Sequence, residues 1–378
     1  MSLRLAGLGW VTPLGHEIDV VWERLLAGEE APAVPVESSL GKKPQYLVFR
    51  VPPEAVAEAG RYARLRRSSA ISRFAVVAGL AALRNAGIKL DEAAAARTAL
   101  VFAISNGGVI YTKRFYHEIV HSGAAAASPL LFPETVFNAP ASHLAAILGI
   151  TGASYTVVGD GAVGVLALQM AMDLMANPEL ERCLVVGAEE ADWLLCDAYR
   201  KWRLLRSTPP IEPFSRPARG MILSEGAGAV LLAREGNLAL ERIHPGTNFA
   251  RQSALLPQLD AICAELRQES ATDVFIASAN GTFIDAAEQA ASAKYFGEAA
   301  IYTPKPALGE SVAAGGLWQL ICAAQALRSQ RLPPILHAMH SAGLTRSRQA
   351  GAAPWHRAAV TVCGLNQQVA ACTLQLRS

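Results

Sequence analysis

The sequence predicts an α/β fold built from two halves that follow each other along the chain. Strands alternate with helices from the first residues onward, and the alternation begins again at about residue 238. The chain has 378 residues, of which 52% are hydrophobic and 17% charged, so it can form one large domain or two fused ones. We place the N-terminal half at 1–236 and the C-terminal half at 237–378.

Each element of the N-terminal half has a local signal. LRLAGLGWV predicts a first strand that closes on a Pro/Gly turn, and residues 18–27 predict a helix around Trp22 and Leu25. The proline-broken stretch 31–53 predicts a loop, whereas RFAVVAGLAALRNAGI predicts a helix that ends at Gly87. Further strands are predicted at TALVFAIS, at 153–158, at 183–188 and as a pair across Gly226 and Gly228, with a helix at 162–176.

The C-terminal half repeats the alternation. Strands are predicted at 238–243, 273–277 and 299–302, helices at 254–268, 284–296 and 312–328, and two last strands at HRAAVTVCG and VAACTLQL. The helix over VLALQMAMDLM in the first half is apolar almost all round, which predicts that it is covered on both sides.

Composition excludes several classes of function. The net charge of +2, from 34 Lys and Arg against 32 Asp and Glu, gives no reason to expect nucleic acid or an anionic membrane as a partner. The six cysteines contain no C-x-x-C, and we expect a reducing compartment, no metal and no cofactor. Without a signal-peptide pattern or an apolar run of about 18 residues, we expect a soluble, cytoplasmic protein with no membrane insertion.

The stretch YTVVGDGAVGVLALQMAMDLM can be interpreted in two ways. Gly159, Gly161 and Gly164 spell G-x-G-x-x-G, the pattern of a dinucleotide-binding turn, and Glu189 or Glu190 could then bind the ribose. The same layout describes a strand that presents a nucleophile at the first turn of a buried helix. A dinucleotide fingerprint normally opens its domain, but here about 150 residues come first, which favours the second interpretation.

Several motifs carry a family resemblance over nearly the whole chain. In order they are GLGWVTPLG, VWERLLAGE, SRFAVVAGLAALRNAGI, PFSRPARGMILSEGAGAVLLA and YTPKPALGESVAAGGLWQLICAAQAL. With them the chain resembles the β-ketoacyl-acyl-carrier-protein synthases, condensing enzymes of the thiolase superfamily. The resemblance implies a thiolase-like fold, a five-layer αβαβα sandwich in which each half contributes a mixed five-stranded sheet. The helix after Gly161 would be buried between the sheets.

The resemblance also places the family's catalytic positions. The family uses a cysteine thiolate at a helix N-terminus and two imidazoles that stabilise the enolate formed on decarboxylation. In this sequence the three positions hold Gly161, Asn280 and Glu310, while the family's lysine and glutamate are retained as Lys305 and Glu225. We therefore expect no catalytic residues at all, and Asn280 and Glu310 to be buried polar groups bonded to each other or to Lys305.

Two more departures agree with that expectation. The cysteine nearest in sequence to the bend is Cys183, which belongs to the next strand. The family's G-F-G-G-T-N turn is replaced by the sequence CGLNQQ at 363–368, which changes the gating loop and half of the oxyanion hole.

The pattern is similar to that of the chain-length factors, silent partners of a ketosynthase in type II polyketide synthases. The resemblance implies a heterodimer with an active β-ketoacyl-ACP synthase, and an acyl carrier protein that brings the acyl or polyene chain. Those factors often have Gln at the nucleophile position, so Gly161 is a departure that argues against malonyl decarboxylation. The compact length and the short NGTFIDAAE loop favour highly reducing systems that make polyenes, such as aryl polyene pigments.

Two surface assignments follow from the family. Residues after SNGG would close the partner's acyl tunnel; the candidates are Val109, Thr112, Phe115 and Tyr116. If 109–120 is helical, Val109, Thr112 and Tyr116 lie at i, i+3 and i+7 on one stripe. By default Val109, Tyr111, Phe115 and Tyr116 would be ordinary core. An arginine cluster in GRYARLRR lies where family members dock their acidic carrier, although such a turn is more often only a solvated face; its members are Arg61, Arg64, Arg66 and Arg67.

The alternative is a stand-alone enzyme of the same fold that transfers acyl groups or hydrolyses thioesters with Glu310 or Asp160 as base. Against it, Ser224 is not part of a G-x-S-x-G motif and Asp160 has no histidine nearby in the sequence.

Overall fold

The computed structural model describes residues 3–37, 45–267, 271–338, 354–366 and 368–377. The strands are β1 Leu3–Val11, β2 Ala33–Glu37, β3 Gln45–Phe49, β4 Thr98–Ile104, β5 Ser154–Val158, β6 Arg182–Glu189, β7 Leu223–Ser224, β8 Gly226–Ala233, β9 Leu238–Asn248, β10 Val274–Ile276, β11 Ala300–Tyr302, β12 Arg357–Cys363 and β13 Gln368–Leu376. The α-helices are α1 Ile18–Leu26, α2 Ala70–Asn85, α3 Glu92–Ala96, α4 Val109–Ser122, α5 Ala139–Leu148, α6 Val163–Leu174, α7 Trp193–Lys201, α8 Leu255–Arg267, α9 Ile284–Tyr295, α10 Lys305–Leu308 and α11 Gly315–Ser329.

The main sheet joins two five-stranded halves. Its strand order is β11-β10-β12-β13-β9-β1-β8-β6-β4-β5, so five strands that begin before residue 234 stand beside five that begin at 238 or later. The halves meet where β1 and β9 pair over Leu3–Leu240 and Arg4–Ala239. Each half mixes parallel and antiparallel pairs, which confirms the predicted mixed five-stranded sheets.

The helices supply the other layers. Helix α2 packs on β1, β8 and β6, and α8 packs on β9 and β13 at the other side of the molecule. Between the halves, α6 and α11 pack on each other and on strands of both halves. Glycines allow this close approach: a Cβ at Gly187 would lie 2.4 Å from the Ala313 carbonyl, and one at Gly228 would lie 2.7 Å from Leu317 Cβ. The five-layer sandwich is confirmed.

Helix α6, the helix after Gly161, is central as predicted but not wholly covered. Val163, Ala167 and Ala171 are buried among the helices and strands of both halves. A stripe at i, i+3, i+4 and i+7 is only half-buried or exposed in the single chain: Leu166, Gln169, Met170 and Asp173. One face of this helix is therefore free to meet a neighbour.

The structure corrects the prediction of a loop over 31–53. Ala33–Glu37 and Gln45–Phe49 are strands that pair antiparallel, and β3 also pairs parallel with β7 in a separate three-stranded sheet. Pro35 is tolerated because β2 is an edge strand, where a missing amide hydrogen costs no pairing. The third strand of this sheet comes from residues 223–224, so the sequence near residues 31–53 contains no signal for that pairing.

The predicted strand pair across Gly226 and Gly228 is also wrong. Strand β7 belongs to the small sheet, whereas β8 is one continuous strand that runs antiparallel between β1 and β6. Gly226, the first residue of β8, has φ +145°, and a Cβ there would lie 2.1 Å from the Val11 carbonyl oxygen. None of the helices in the described ranges is both long enough and apolar enough to cross a bilayer.

Candidate functional site

The bend between β5 and α6 is closed by backbone from the C-terminal half. Gly161 lies at this bend, and the amide of Val163 donates to the Asp160 carbonyl to start the helix. A Cβ on Gly161 would lie 3.0 Å from Gly364 Cα and 3.3 Å from the Cys363 carbonyl oxygen. A nucleophile's side chain at this position would therefore crowd the chain after β12, which would have to shift by a few tenths of an ångström.

The Asp160 carboxylate holds that segment in place. Its Oδ2 accepts a hydrogen bond from the Asn366 amide at 2.8 Å, and the Gly364 amide donates to the Gln368 carbonyl at 2.6 Å. A Cβ on Gly364 would fall 1.9 Å from Asp160 Oδ2, so only glycine fits beneath the carboxylate. Gln367, also in the predicted gating turn, lies outside the described residues.

A second cluster occupies the positions where the resemblance places the imidazoles. Asn280 Nδ2 donates to Glu310 Oε2 at 2.6 Å, and Lys305 Nζ donates to Glu310 Oε1 at 2.8 Å and Oε2 at 2.6 Å. The Lys305 and Glu310 side chains are only 4% and 3% exposed, and Asn280 is fully buried. The three side chains thus form one buried, charge-compensated group, as the sequence predicted for them.

Asn280 is fixed from its other side as well. Its Oδ1 accepts from the Thr282 hydroxyl at 2.7 Å and from the Thr282 amide at 3.1 Å. Asp285 accepts from the amides of Asn280, Gly281 and Phe214 at 2.7–2.9 Å, which fixes the backbone of this turn. Burial raises the pKa of Asp285 to about 6, although those amides act in the opposite direction. With both ends of its amide engaged, Asn280 has no free donor to offer an enolate.

The cysteines cannot replace the missing thiolate. All six are free and buried. Burial raises the pKa of Cys183 to about 12 and that of Cys363, beside the bend, well above its ordinary value. Both thiols stay protonated at neutral pH, and the nucleophile in thiol chemistry is the thiolate.

Two further carboxylates, those of Glu225 and Glu189, are engaged by hydrogen bonds and ion pairs within the protein. Glu225 pairs with Arg50 and accepts from the Val51 amide, which ties the end of β3 to the start of β8. Glu189, a candidate ribose ligand under the dinucleotide interpretation, accepts from the amides of Ser105 and Asn106 at 3.1 and 3.0 Å. It therefore fixes the turn after β4.

Replacing Lys305 by Met should strongly destabilise the fold. The change leaves Glu310 buried with one neutral partner, and an uncompensated buried charge of this kind costs about 3–5 kcal/mol. Urea unfolding of the full chain measures the loss. The control is Lys294→Met in the exposed pair with Asp260, for which we expect a far smaller change because water screens that pair. The double change Lys305→Met with Glu310→Leu should recover most of the loss; no recovery would contradict the buried-pair interpretation.

A second buried carboxyl makes stability depend on pH. Glu288 accepts from the Ser278 amide at 2.7 Å and from the Thr361 hydroxyl, while its Oε2 has no partner within the described ranges. Burial raises its pKa to about 7, and that of Glu189 likewise to about 7. Both groups thus hold a proton more tightly in the folded than in the unfolded chain.

The free energy of unfolding should therefore fall as pH rises from about 4.5 to about 7, since the folded state binds the extra protons in this window. Glu288→Gln should make the fall shallower because its carboxyl no longer ionises. Urea unfolding at several pH values in this window tests this, with Glu179→Gln on the exposed surface as control. A slope in Glu288→Gln equal to that of the wild type would refute the assignment.

Helix α4 carries the predicted tunnel residues, and the default interpretation of them as core is wrong. The region is helical, so Val109, Thr112 and Tyr116 do share a stripe, but no side chain of α4 is buried in the single chain. Tyr116 is 61% exposed and Val120 75%. The Phe115 ring lies 6.2 Å from that of Tyr116 and 5.8 Å from that of Phe132.

Other apolar side chains are exposed in the segments next in the chain. They include Leu130, Phe132 and Phe137 in the segment after α4, and Tyr155 and Val158 on β5. In the described part of the chain β5 pairs only with β4, so it forms one edge of the ten-stranded sheet. An exposed apolar edge strand is a template for pairing with another chain.

The arginine cluster is on the surface, as an anion-docking site would require. Arg61, Arg64, Arg66 and Arg67 are all exposed. Arg64 Nε donates to His143 Nδ1 at 3.1 Å, and His143 Nε2 lies 2.7 Å from the buried Glu134 carboxylate. Among the described residues, no hydrogen bond or ion pair links these arginines to the bend at Gly161, but the bond to His143 fixes the direction of Arg64.

Two fused α/β halves, with a strand-to-helix bend of one half packed against the turn after β12 of the other, define a thiolase-like protein of the ketosynthase class. The family models agree. The model described as "Beta-ketoacyl synthase, N-terminal domain" matches residues 4–237, and "Beta-ketoacyl synthase, C-terminal domain" matches 254–339. The chain belongs to the β-ketoacyl synthase family.

Curated relatives cover most of the chain at low identity. Nodulation protein E of Rhizobium leguminosarum bv. trifolii is 24% identical over 359 residues, which is 87% of this chain and 87% of that protein. The 3-oxoacyl-[acyl-carrier-protein] synthase 2 of Vibrio cholerae is 22% identical over 366 residues, 88% of this chain and 87% of that protein.

Solved structures show the same fold over the whole length. The ishigamide ketosynthase/chain length factor superposes with a TM-score of 0.83 at 18% identity, over 100% of this chain and 99% of that one. A type II polyketide synthase acyl-carrier protein in complex with its ketosynthase bound to the hexaketide gives a TM-score of 0.81 at 15% identity, over 99% of each chain.

Proposed function

We propose that this chain is a catalytically silent subunit that pairs with an active β-ketoacyl-ACP synthase and bounds the tunnel for its growing acyl or polyene chain. The observation that carries the proposal is the bend at Gly161. It offers no nucleophile, and a Cβ there would lie only 3.0 Å from Gly364 Cα, so a side chain would crowd the backbone of the other half. Condensation through a covalent acyl-enzyme has no site at this position.

The polar cluster supports the same conclusion. Decarboxylation of a malonyl thioester needs hydrogen-bond donors aimed at the developing enolate. Here the amide of Asn280 and the ammonium group of Lys305 both donate to Glu310. A carboxylate at this position adds negative charge where the reaction would develop more.

The exposed apolar surface supports a protein partner. Helix α4 and strand β5 present Tyr116, Val120, Tyr155 and Val158 to solvent in the single chain. Apolar side chains in such number on one region of a surface are typical of interfaces. A structure named as a ketosynthase/chain length factor shares the fold, which makes an active ketosynthase the partner that we propose.

The carrier protein is the second proposed partner. An acidic acyl carrier protein would meet the exposed arginines, of which Arg64 is oriented by His143. The compact chain and the short loop after Asn280 lead us to propose a polyene, of the aryl polyene or highly reducing type, as the product class.

A stand-alone acyltransferase or hydrolase is the alternative, and the two bases it would use are engaged. Glu310 accepts from Lys305 and Asn280, and Asp160 accepts from the Asn366 amide. Each carboxylate is thus held by protein donors, and within the described ranges neither accepts a hydrogen bond from a hydroxyl group.

Co-expression with the ketosynthase encoded beside it tests the proposal. We expect a stable one-to-one complex by size exclusion with light scattering, and self-association of the chain alone. Val120→Asp should prevent the complex by placing a charge on α4, whereas Leu256→Asp, on an exposed position of α8, should not. Two separate, soluble proteins after co-expression would contradict the heterodimer.

A further inference from the structure

The C-terminal half of α4 carries two histidines one turn apart. His117 and His121 lie at i and i+4, and their ring centroids are 4.1 Å apart. Both side chains are exposed. In the part of the chain that the structure describes, neither imidazole has a hydrogen-bond or ion-pair partner.

This arrangement has the chemistry of a metal chelate. Two histidines at i and i+4 project from the same face of a helix, the spacing at which a pair of imidazoles can share one metal ion. Imidazole nitrogens suit zinc, nickel and copper. The pair also lies in the last two turns of Val109–Ser122, where the helix dipole favours a bound cation. Because both rings are exposed, they can turn to point their nitrogens at one ion without disturbing the core.

We propose that His117 and His121 form a surface site for a divalent transition-metal ion of the zinc class, with water in the remaining coordination positions. Glu118, which follows His117, limits the chemistry that such a site can perform. The Glu118 carboxylate accepts from the Ser128 amide at 2.9 Å, so it anchors the following turn and does not serve as a hydrolytic base. Among the described residues there is no cluster of three or more His, Cys, Asp or Glu that could hold a metal, which makes this an open, two-ligand site.

Metal binding would stabilise the folded form of α4. No side chain of α4 is buried in the single chain, and a ligand that binds only the folded helix adds its binding free energy to the helix's stability. The sequence contains the spacing H-E-x-x-H, which the expectation that no Cys/His cluster has metal-ligand spacing overlooked. The proposal departs from the expectation of no metal, and it does not depend on the proposed function.

Calorimetric titration of the untagged full chain with zinc chloride tests the site. We expect one saturable site at about pH 7.5. His117→Gln and His121→Gln should each abolish this binding event. His356→Gln, a change of a single exposed histidine elsewhere, should leave it intact. If both α4 variants bind zinc with wild-type affinity and stoichiometry, the site does not exist.

Hydrogen exchange supplies a readout that is local to the helix. Zinc should slow exchange of the amides of α4 in the wild type and in His356→Gln, and leave it unchanged in the two α4 variants. Zinc binding without slower exchange in α4 would place the ion elsewhere on the surface and overturn the proposal. Because both histidines are exposed, circular dichroism of the variants should match the wild type before zinc is added.

Discussion

Gly161→Cys should remain inactive in condensation, although it places a thiol at the family's nucleophile position. The new Cβ would lie 3.0 Å from Gly364 Cα, so the side chain has to displace the turn that Asp160 holds. Even a correctly placed thiolate would lack both imidazoles, and each missing transition-state donor costs on the order of 3 kcal/mol, or about 10²–10³ in rate. The measurement is product formation from an acyl-carrier and a malonyl-carrier thioester.

A control distinguishes missing chemistry from a damaged fold. Gly161→Ala adds the same Cβ without a thiol, so its unfolding free energy shows how much the crowding costs. If Gly161→Cys condenses substrates at a rate near that of a family enzyme, Asn280 and Glu310 are not the defects that we take them to be. A condensing chain would also remove the main support for a silent subunit.

Tyr116→Ala should lengthen the product of the complex by several methylene or vinylene units. Under the proposed function Tyr116 forms the floor of the partner's tunnel, with Val109 and Thr112 as its wall. In the single chain its ring is largely exposed, as a group that completes another subunit's cavity must be. The change removes a steric stop and leaves the partner's thiolate untouched. Product mass in the reconstituted complex measures the effect.

The matched control is Tyr295→Ala, a tyrosine on α9 whose hydroxyl donates to Asp260, which should leave product length unchanged. Thr112→Ala should give a smaller shift than Tyr116→Ala because it removes less volume. If both α4 variants leave the length distribution unmoved while the complex stays intact, this stripe has no role in length control.

Local signals predicted the elements that carry their own periodicity. Helix α2 has a run of apolar residues with a serine, Ser69, that caps its start by accepting from the Ser72 amide. The strands over Thr98–Ile104 and Arg357–Cys363 are buried along their whole length, and their own sequences are enough to predict them as strands. The two-half arrangement followed from the alternation of strands and helices, which begins again at about residue 238.

Features that depend on distant partners were not predictable. Strand β3 pairs with β2 on one side, and on the other side Val48 and Phe49 pair with Leu223 and Ser224, which are far away in the sequence. The contact of Asp160 with Asn366 joins residues 206 positions apart. No sequence pattern near either residue predicts this contact. The sequence suggested Asp160 as a catalytic base, whereas in the structure its carboxylate holds the turn at Asn366.

The candidate site likewise combines features that the sequence predicted with features that it did not. Motif positions were enough to predict that Asn280, Glu310 and Lys305 would bond to one another. The exposure of α4 was not predictable from motif positions. Whether such a helix lies in the core or at an interface depends on which surfaces the rest of the chain leaves uncovered. The short helix Trp193–Lys201 was missed, although Asp192 caps it by accepting from two amides.

Intact-mass analysis of the reconstituted complex after incubation with an acyl-carrier thioester tests the central claim most directly. The two subunits are resolved by mass, so the position of the acyl group can be read for each. The silent-subunit account predicts one acyl group on the partner ketosynthase and none on this chain. A stoichiometric acyl adduct on this chain would contradict it.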